Sequence, residues 1–266
     1  MNAVSPDRHY TLVQDIRYGS EERLKLDVYQ PTVVSDHVPV VVFLYGGGWK
    51  DGEKSKYEFV ASSLAKAGYV VVIPDYRLYP AVVFPEFVND GADAVAWALR
   101  NANRYGGDTD NLFVIGHSAG AHIGALLSLN PDYLEERGFD LSSITGFIGL
   151  SGPYDFLPIN TSYLVEVFPE DLREASQPVN YASAEVPPVL LIHGNEDTTV
   201  RAKNSQTLAD KLVKAGAEVE LKIYDGAGHV KTVVALAPPL TFLDESAADI
   251  QTFISKNTKS QNNAID

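Results

Sequence analysis

The order of apolar and polar residues predicts strands and helices in alternation. Thr11–Tyr18 and Arg23–Tyr29 read as an antiparallel pair of strands, the second with Leu24, Leu26 and Val28 alternating with polar neighbours. Five short, almost wholly apolar runs follow: Val38–Leu44, Tyr69–Ile73, Leu112–Ile115, Gly146–Leu150 and Val189–Ile192. Runs of this kind are strands covered on both faces, as in a parallel sheet. Glu218–Tyr224 adds a strand with Val219, Leu221 and Ile223 on one side. Between the strands lie helical stripes, Val88, Ala92, Val95, Leu99 and Ala102 in one, Leu208, Leu212 and Ala215 in another. Lys56–Ala67, Ala121–Leu129 and Thr241–Ser255 read as helices too. The expectation is an α/β fold, a mostly parallel eight-stranded sheet with helices on both faces.

No internal repeat or low-complexity linker divides the chain, so residues 1–266 read as one domain. With 45% hydrophobic residues it can bury roughly 70–75% of the surface of the unfolded chain. One stretch breaks the alternation. Gly152–Pro188 is rich in proline and holds Tyr154, Phe156, Tyr163 and Phe168, expected as exposed aromatics of a lid or pocket wall. The polar tail Lys256–Asp266 is expected to fray.

Charge narrows the partners. The formal net charge of −14 argues against nucleic acid or an anionic membrane as the main target, and suits a small neutral substrate. The chain has no cysteine, which excludes disulfides, thiolate nucleophiles and cysteine-rich zinc sites. Met1–Tyr10 has no apolar run, so it is neither a signal peptide nor an anchor, and no later run reaches ~18 apolar residues. A cytoplasmic protein, monomeric or homodimeric, is the expectation.

The sharpest chemical signal is Gly116-His117-Ser118-Ala119-Gly120, a G-x-S-x-G pattern with an apolar strand before it and a small-residue helix after it. That is the strand–turn–helix context of a nucleophile elbow, which sets it apart from an ordinary glycine-rich turn. A serine hydroxyl needs a base. Of six histidines, His9 and His37 lie in polar segments and His117 is the variable residue of the elbow. His122 points away from the serine into the core, and His193 ends a strand and braces the loop beyond it. His229 remains, in Asp225-Gly226-Ala227-Gly228-His229 past the last strand, at the carboxyl end of the sheet where such sites form. The base in turn needs a carboxylate to hold its tautomer. Asp197, after the strand Val189–Ile192, completes the order Ser118, Asp197, His229; Asp155 is a rival at the same end, and the adjacent Glu196 should point elsewhere. Tyr45-Gly46-Gly47-Gly48-Trp49 follows the strand Val38–Leu44 and can bring backbone N–H groups to a developing oxyanion. No Gly-Lys-Ser/Thr follows it as a phosphate loop would require, and no G-x-G-x-x-G opens a helix after a strand.

With these residues in place the chain resembles α/β-hydrolase esterases of the hormone-sensitive-lipase-like kind, and in pattern small bacterial carboxylesterases and promiscuous feruloyl esterases. The likeness runs through Tyr45–Trp49, Asp75-Tyr76-Arg77-Leu78, Tyr105-Gly106-Gly107-Asp108, Gly116–Gly120, His193–Asp197 and Gly228-His229. It implies Ser118, Asp197 and His229 as a triad, the amides of Gly47, Gly48 and Ala119 as an oxyanion hole, and no cofactor or metal. In one place the pattern departs: Tyr45 stands where the family usually has histidine. The backbone donors do not depend on that side chain, but the bracing of the loop must differ. Two roles stay open for Tyr45, a brace or a hydroxyl that reaches the oxyanion.

The expected function is a serine carboxylesterase for short-chain or aryl esters, with Trp49 and the aromatics of the insertion as pocket walls. An arylformamidase would share fold and triad. A non-catalytic hydrolase-fold binding protein is the competing class, and such proteins usually lack a triad member.

Overall fold

The computed structural model describes residues 9–32, 38–237, 240 and 244–259. His37 and the tail beyond Lys259 therefore lie outside the described residues, as do residues 241–243 of the expected last helix. Eight strands form one sheet: β1 Tyr10–Arg17, β2 Lys25–Pro31, β3 Val38–Leu44, β4 Val70–Pro74, β5 Gly107–His117, β6 Gly146–Leu150, β7 Val189–Gly194 and β8 Val219–Tyr224. Their order is β1-β2-β4-β3-β5-β6-β7-β8, antiparallel at the β1/β2 and β2/β4 pairs and parallel elsewhere. The expected fold, an α/β-hydrolase sheet, is the one observed. Helices cover it: α1 Glu58–Lys66, α2 Glu86–Asn101, α3 Ala119–Leu129, α4 Asp132–Glu135, α5 Ser162–Val167, α6 Lys203–Ala215, α7 Lys231–Val234 and α8 Ser246–Asn257.

The apolar runs lie where two-sided burial demands. Val40 to Leu44, Val70 to Ile73 and Leu112 to Ile115 are completely buried. Boundaries shift where pairing outweighs local polarity. β5 starts five residues earlier than its apolar run, because Gly107 and Asp108 pair with Val38 and Pro39 before a bulge restores the register. The helix expected from Lys56 begins as a 3-10 turn over Lys54–Tyr57, and the last helix starts at Ser246 rather than Thr241. Lys256 and Asn257, assigned to the tail, close that helix.

The aromatics of Gly152–Pro188 are a larger correction. Tyr154 and Phe168 are completely buried and Phe156 and Tyr163 half-buried. Phe168 packs edge-on against Trp49 and Phe87, at centroid distances of 4.9 and 6.0 Å, with the buried ring of His122 at 5.6 Å. Rings of this size bury too much apolar area to stay in water when a neighbouring aromatic surface can take them. Pattern alone could not show that Trp49, Phe84, Phe87 and His122 converge there.

Polar contacts tie the antiparallel edge to the sheet's functional end. The Lys54 ammonium, 9% exposed, lies 2.7 Å from Asp27 Oδ1 and 2.8 Å from Asp15 Oδ1, and Asp27 is 1% exposed. Removing one partner of such a pair strands a buried charge. Lys54→Met should therefore cost about 3–5 kcal/mol in urea denaturation. Adding Asp27→Leu should recover much of that loss, because the uncompensated carboxylate is then gone.

Candidate active site

β5 delivers His117 into a sharp turn, and α3 starts one residue later at Ala119. Ser118 between them has φ 53° and ψ −120°, a strained conformation for a residue with a side chain. Its N–H donates to Leu150 O of β6 at 2.9 Å, and its carbonyl accepts from His122 N at 3.1 Å. The turn is tight enough that a Cβ on Gly120 would fall 2.0 Å from Leu44 O, so no larger residue fits there.

The structure brings Ser118, His229 and Asp197 together. Ser118 Oγ is 2.9 Å from His229 Nε2, and His229 Nδ1 is 2.7 Å from Asp197 Oδ2. With the carboxylate accepting the Nδ1 proton, Nε2 is free to accept the serine proton. Asp197 is buried, and burial alone would raise its pKa. Hydrogen bonds from His193, His229 and the Val200 amide outweigh that and hold the carboxyl well below the usual carboxylate range. Its other oxygen, Oδ1, accepts from Thr199 N at 2.9 Å and Val200 N at 2.8 Å. His193 is a second support: its ring lies between Ser205 Oγ and Val200 O, each at 2.7 Å, with Nε2 3.2 Å from Asp197 Oδ2.

Asp155 is not brought to His229. Its side chain is exposed at the cavity wall, and its N–H, with that of Tyr154, donates to Asn204 Oδ1 at 2.9 Å. Glu196 is exposed. His9 is exposed as well. His122 is buried in the core with Nε2 2.7 Å from Ser176 O, and burial lowers its pKa to about 4.

His117 does more than fill the variable place of the elbow. It is buried, with Nε2 3.1 Å from the carbonyl of His229, so the elbow holds the histidine loop by its backbone. Burial, with His229 beside it, lowers its pKa to about 4 and keeps the ring a neutral donor.

The loop after β3 carries Gly47 and Gly48, both at positive φ and both lining the same cavity as Ser118 and His229. Ala119 opens α3, where a backbone N–H has no intrahelical acceptor. Tyr45 is a brace. Its hydroxyl donates to Asp75 Oδ1 at 2.7 Å and accepts from Arg23 Nη2 at 3.0 Å, while its ring stacks between Tyr57 and Tyr76. The reading in which that hydroxyl reaches the oxyanion is overturned, because both its partners lie on the side of the antiparallel edge. Arg23 also donates to Gly52 O at 2.6 Å and Tyr76 O at 2.7 Å, and Lys54 N donates to Asp75 Oδ1 at 2.7 Å. Arg23 was missed in the sequence, where it reads only as the first residue of the strand Arg23–Tyr29. Asp75 was visible only as part of a motif.

The cavity has a volume of about 1030 Å³, with Phe156, Leu157 and Ile159 on one wall and Val230, Val233 and Val234 on another. Trp49 lines it too but is 4% exposed, most of its ring being packed among other aromatics. Among the described residues no group of three or more His, Cys, Asp or Glu is placed to hold a metal ion, and no helix is long and apolar enough to cross a membrane.

Comparison with known proteins places these features in a wider group. Residues 26–212 match the family model BD-FAE, a span that includes Ser118 and Asp197 and stops short of His229. The chain is 30% identical over 249 residues to the isoprenylcysteine alpha-carbonyl methylesterase ICME of Arabidopsis thaliana, covering 85% of this chain and 58% of that protein. It is 30% identical over 245 residues to the esterase LipC of Mycobacterium tuberculosis, covering 84% of this chain and 60% of that protein. It thus spans less than two thirds of the length of these relatives. Among solved structures, a truncated carbohydrate esterase from gut microbiota superposes with a TM-score of 0.81 at 20% identity, covering 96% of this chain and 99% of that one. Esterase 2 of Thermogutta terrifontis, solved with butyrate bound, gives 0.77 at 22% identity, covering 93% and 94%. With the family model matched from β2 into α6, on an α/β-hydrolase fold, the chain belongs to the BD-FAE family.

Proposed function

We propose that the protein is a serine carboxylic ester hydrolase working through an acyl-enzyme. The observation that carries the reading is the unbroken hydrogen-bonded chain from Ser118 Oγ through the His229 ring to Asp197. Ser118 Oγ attacks the ester carbonyl carbon as its proton passes to His229 Nε2. The carbonyl π pair moves onto oxygen, where the amides of Gly47, Gly48 and Ala119 receive it. Asp197, kept ionised, stabilises the imidazolium. The C–O bond to the alcohol then breaks, and His229 returns the proton to the departing oxygen. Water, deprotonated by the same ring, attacks the acyl-serine and frees the acid. The methylesterase activity in the name of the Arabidopsis relative falls in this reaction class.

Short-chain or aryl esters are the substrates this site favours. Trp49 packs against Phe87, His122 and Phe168, all buried, so among the described residues these side chains take up the space on that side of its ring. The aromatic and apolar walls suit a small hydrophobic acyl or aryl group, and we take a neutral ester as the simplest such substrate.

Ser118→Ala should retain less than about a hundredth of the wild-type activity on an aryl butyrate and lose labelling by a fluorophosphonate probe, with its thermal midpoint kept. Full labelling at another residue would overturn the nucleophile. Asp197→Asn should lower kcat by up to ~10⁴ by favouring the wrong imidazole tautomer, whereas Asp155→Asn should leave kcat within a few-fold of wild type. The reverse ranking would mean that another carboxylate orients the histidine. Across a series of p-nitrophenyl esters, kcat/KM should be highest for acyl groups of about two to six carbons. A sixteen-carbon ester outrunning the butyrate would overturn that preference.

A further inference from the structure

Tyr163, in the first turn of α5, is a half-buried phenol that lines the cavity alongside Ser118 and Gly48. A Cβ built on Gly48 would lie 2.9 Å from its hydroxyl, so that hydroxyl stands within about 4.5 Å of the Gly48 Cα. Among the described residues it makes no hydrogen bond, whereas the hydroxyls of Tyr45, Tyr57 and Tyr76 each have a partner. The Lys50 ammonium sits over the ring, 3.8 Å from its centroid. α5 is not loose: the Glu166 carboxylate accepts from the Tyr79 hydroxyl, Phe84 N donates to Val167 O at 2.9 Å, and Val167 is buried.

We propose that Tyr163 is a further catalytic residue, whose hydroxyl donates a hydrogen bond to the ester carbonyl oxygen as that oxygen becomes the tetrahedral oxyanion. The inference rests on the ester-hydrolase reading. A donor held beside the loop whose amides receive the oxygen, with no protein acceptor of its own among the described residues, is free to turn its proton to the negative charge that develops there and costs little to reorganise. Burial raises the pKa of this phenol, so it stays protonated and donates a hydrogen bond without giving up the proton. Lys50 adds to the effect. A cation over an aromatic face draws π density towards itself, which leaves the hydroxyl a stronger donor. The backbone amides and the phenol come from different parts of the chain, one set from β3 and the elbow, the other from the irregular segment after β6.

The test uses the 266-residue chain with p-nitrophenyl butyrate. Tyr163→Phe keeps the ring, its packing and the Lys50 contact, and removes only the donor. It should lower kcat about 100- to 1,000-fold with KM within two-fold, in the range seen when one oxyanion donor is lost. Affinity for a trifluoromethyl ketone, which forms an anionic hemiketal with the serine, should fall by a similar factor. Lys50→Met should cost kcat about two- to five-fold in the Tyr163 protein and nothing further in the Tyr163→Phe protein. If Tyr163→Phe leaves kcat unchanged, or raises KM alone, the phenol is only a wall and the proposal fails while the esterase reading stands. If wild-type protein neither turns over esters nor reacts with a fluorophosphonate, the esterase reading itself fails and takes this proposal with it.

Discussion

The site depends on two places where backbone meets backbone without room for a side chain. At one, Gly120 of the elbow lies against the end of β3, where a Cβ would meet Leu44 O at 2.0 Å. At the other, Gly194 at the end of β7 lies against the loop after β8, where a Cβ would meet Ala227 O at the same distance. The first contact sets the serine beside the glycine loop. The second sets the loop of Asp197 beside that of His229, and Glu196 N closes it with a hydrogen bond to Ala227 O at 3.0 Å. Hydrogen bonds of 2.7 and 2.9 Å between side chains on three loops follow only because the backbones are already this close.

Polar support falls into two regions that meet at the cavity. On the acid side, one buried carboxylate takes two backbone amides on one oxygen and two histidine rings on the other. Its charge is thereby kept out of water without being left unpaired. On the glycine-loop side, Asp75 is pushed upwards by burial and held by Tyr45, the Lys54 amide and Arg23. The stacked rings of Tyr45 and Tyr76 carry that anchorage towards the cavity, and the Tyr76 hydroxyl donates to Tyr45 O at 2.7 Å. A tyrosine in place of the histidine usual before the three glycines is thus matched by partners that suit a phenol.

Much of this could be read from residues in order. The parallel strands are apolar on both faces and so announce themselves, and the glycines of the elbow mark a turn that nothing larger allows. Choosing Asp197 over Asp155 was legible from its short loop after β7. What stayed hidden joins residues far apart in the chain. The bond of His117 to the His229 carbonyl spans 112 positions, and the partners of Arg23 lie up to 53 positions away. The irregular segment misled for a related reason: its aromatics look stranded in sequence because the rings that bury them, Trp49, Phe84 and Phe87, belong to earlier loops and to α2. Single side chains carry no local period, so only the assembled fold reveals such contacts.

The antiparallel edge of the sheet looks peripheral, two strands added outside the parallel core. Yet Arg23, between them, reaches the Tyr45 hydroxyl and Gly52 O, and Asp27 on β2 holds the ammonium of Lys54, whose own amide holds Asp75. The outermost hairpin is in this sense a support of the candidate site, attached through a relay of charges rather than through packing alone. Shortening the protein through this hairpin, or grafting the parallel core into another scaffold, would therefore unmoor the glycine loop as well as expose the hydrophobic interior.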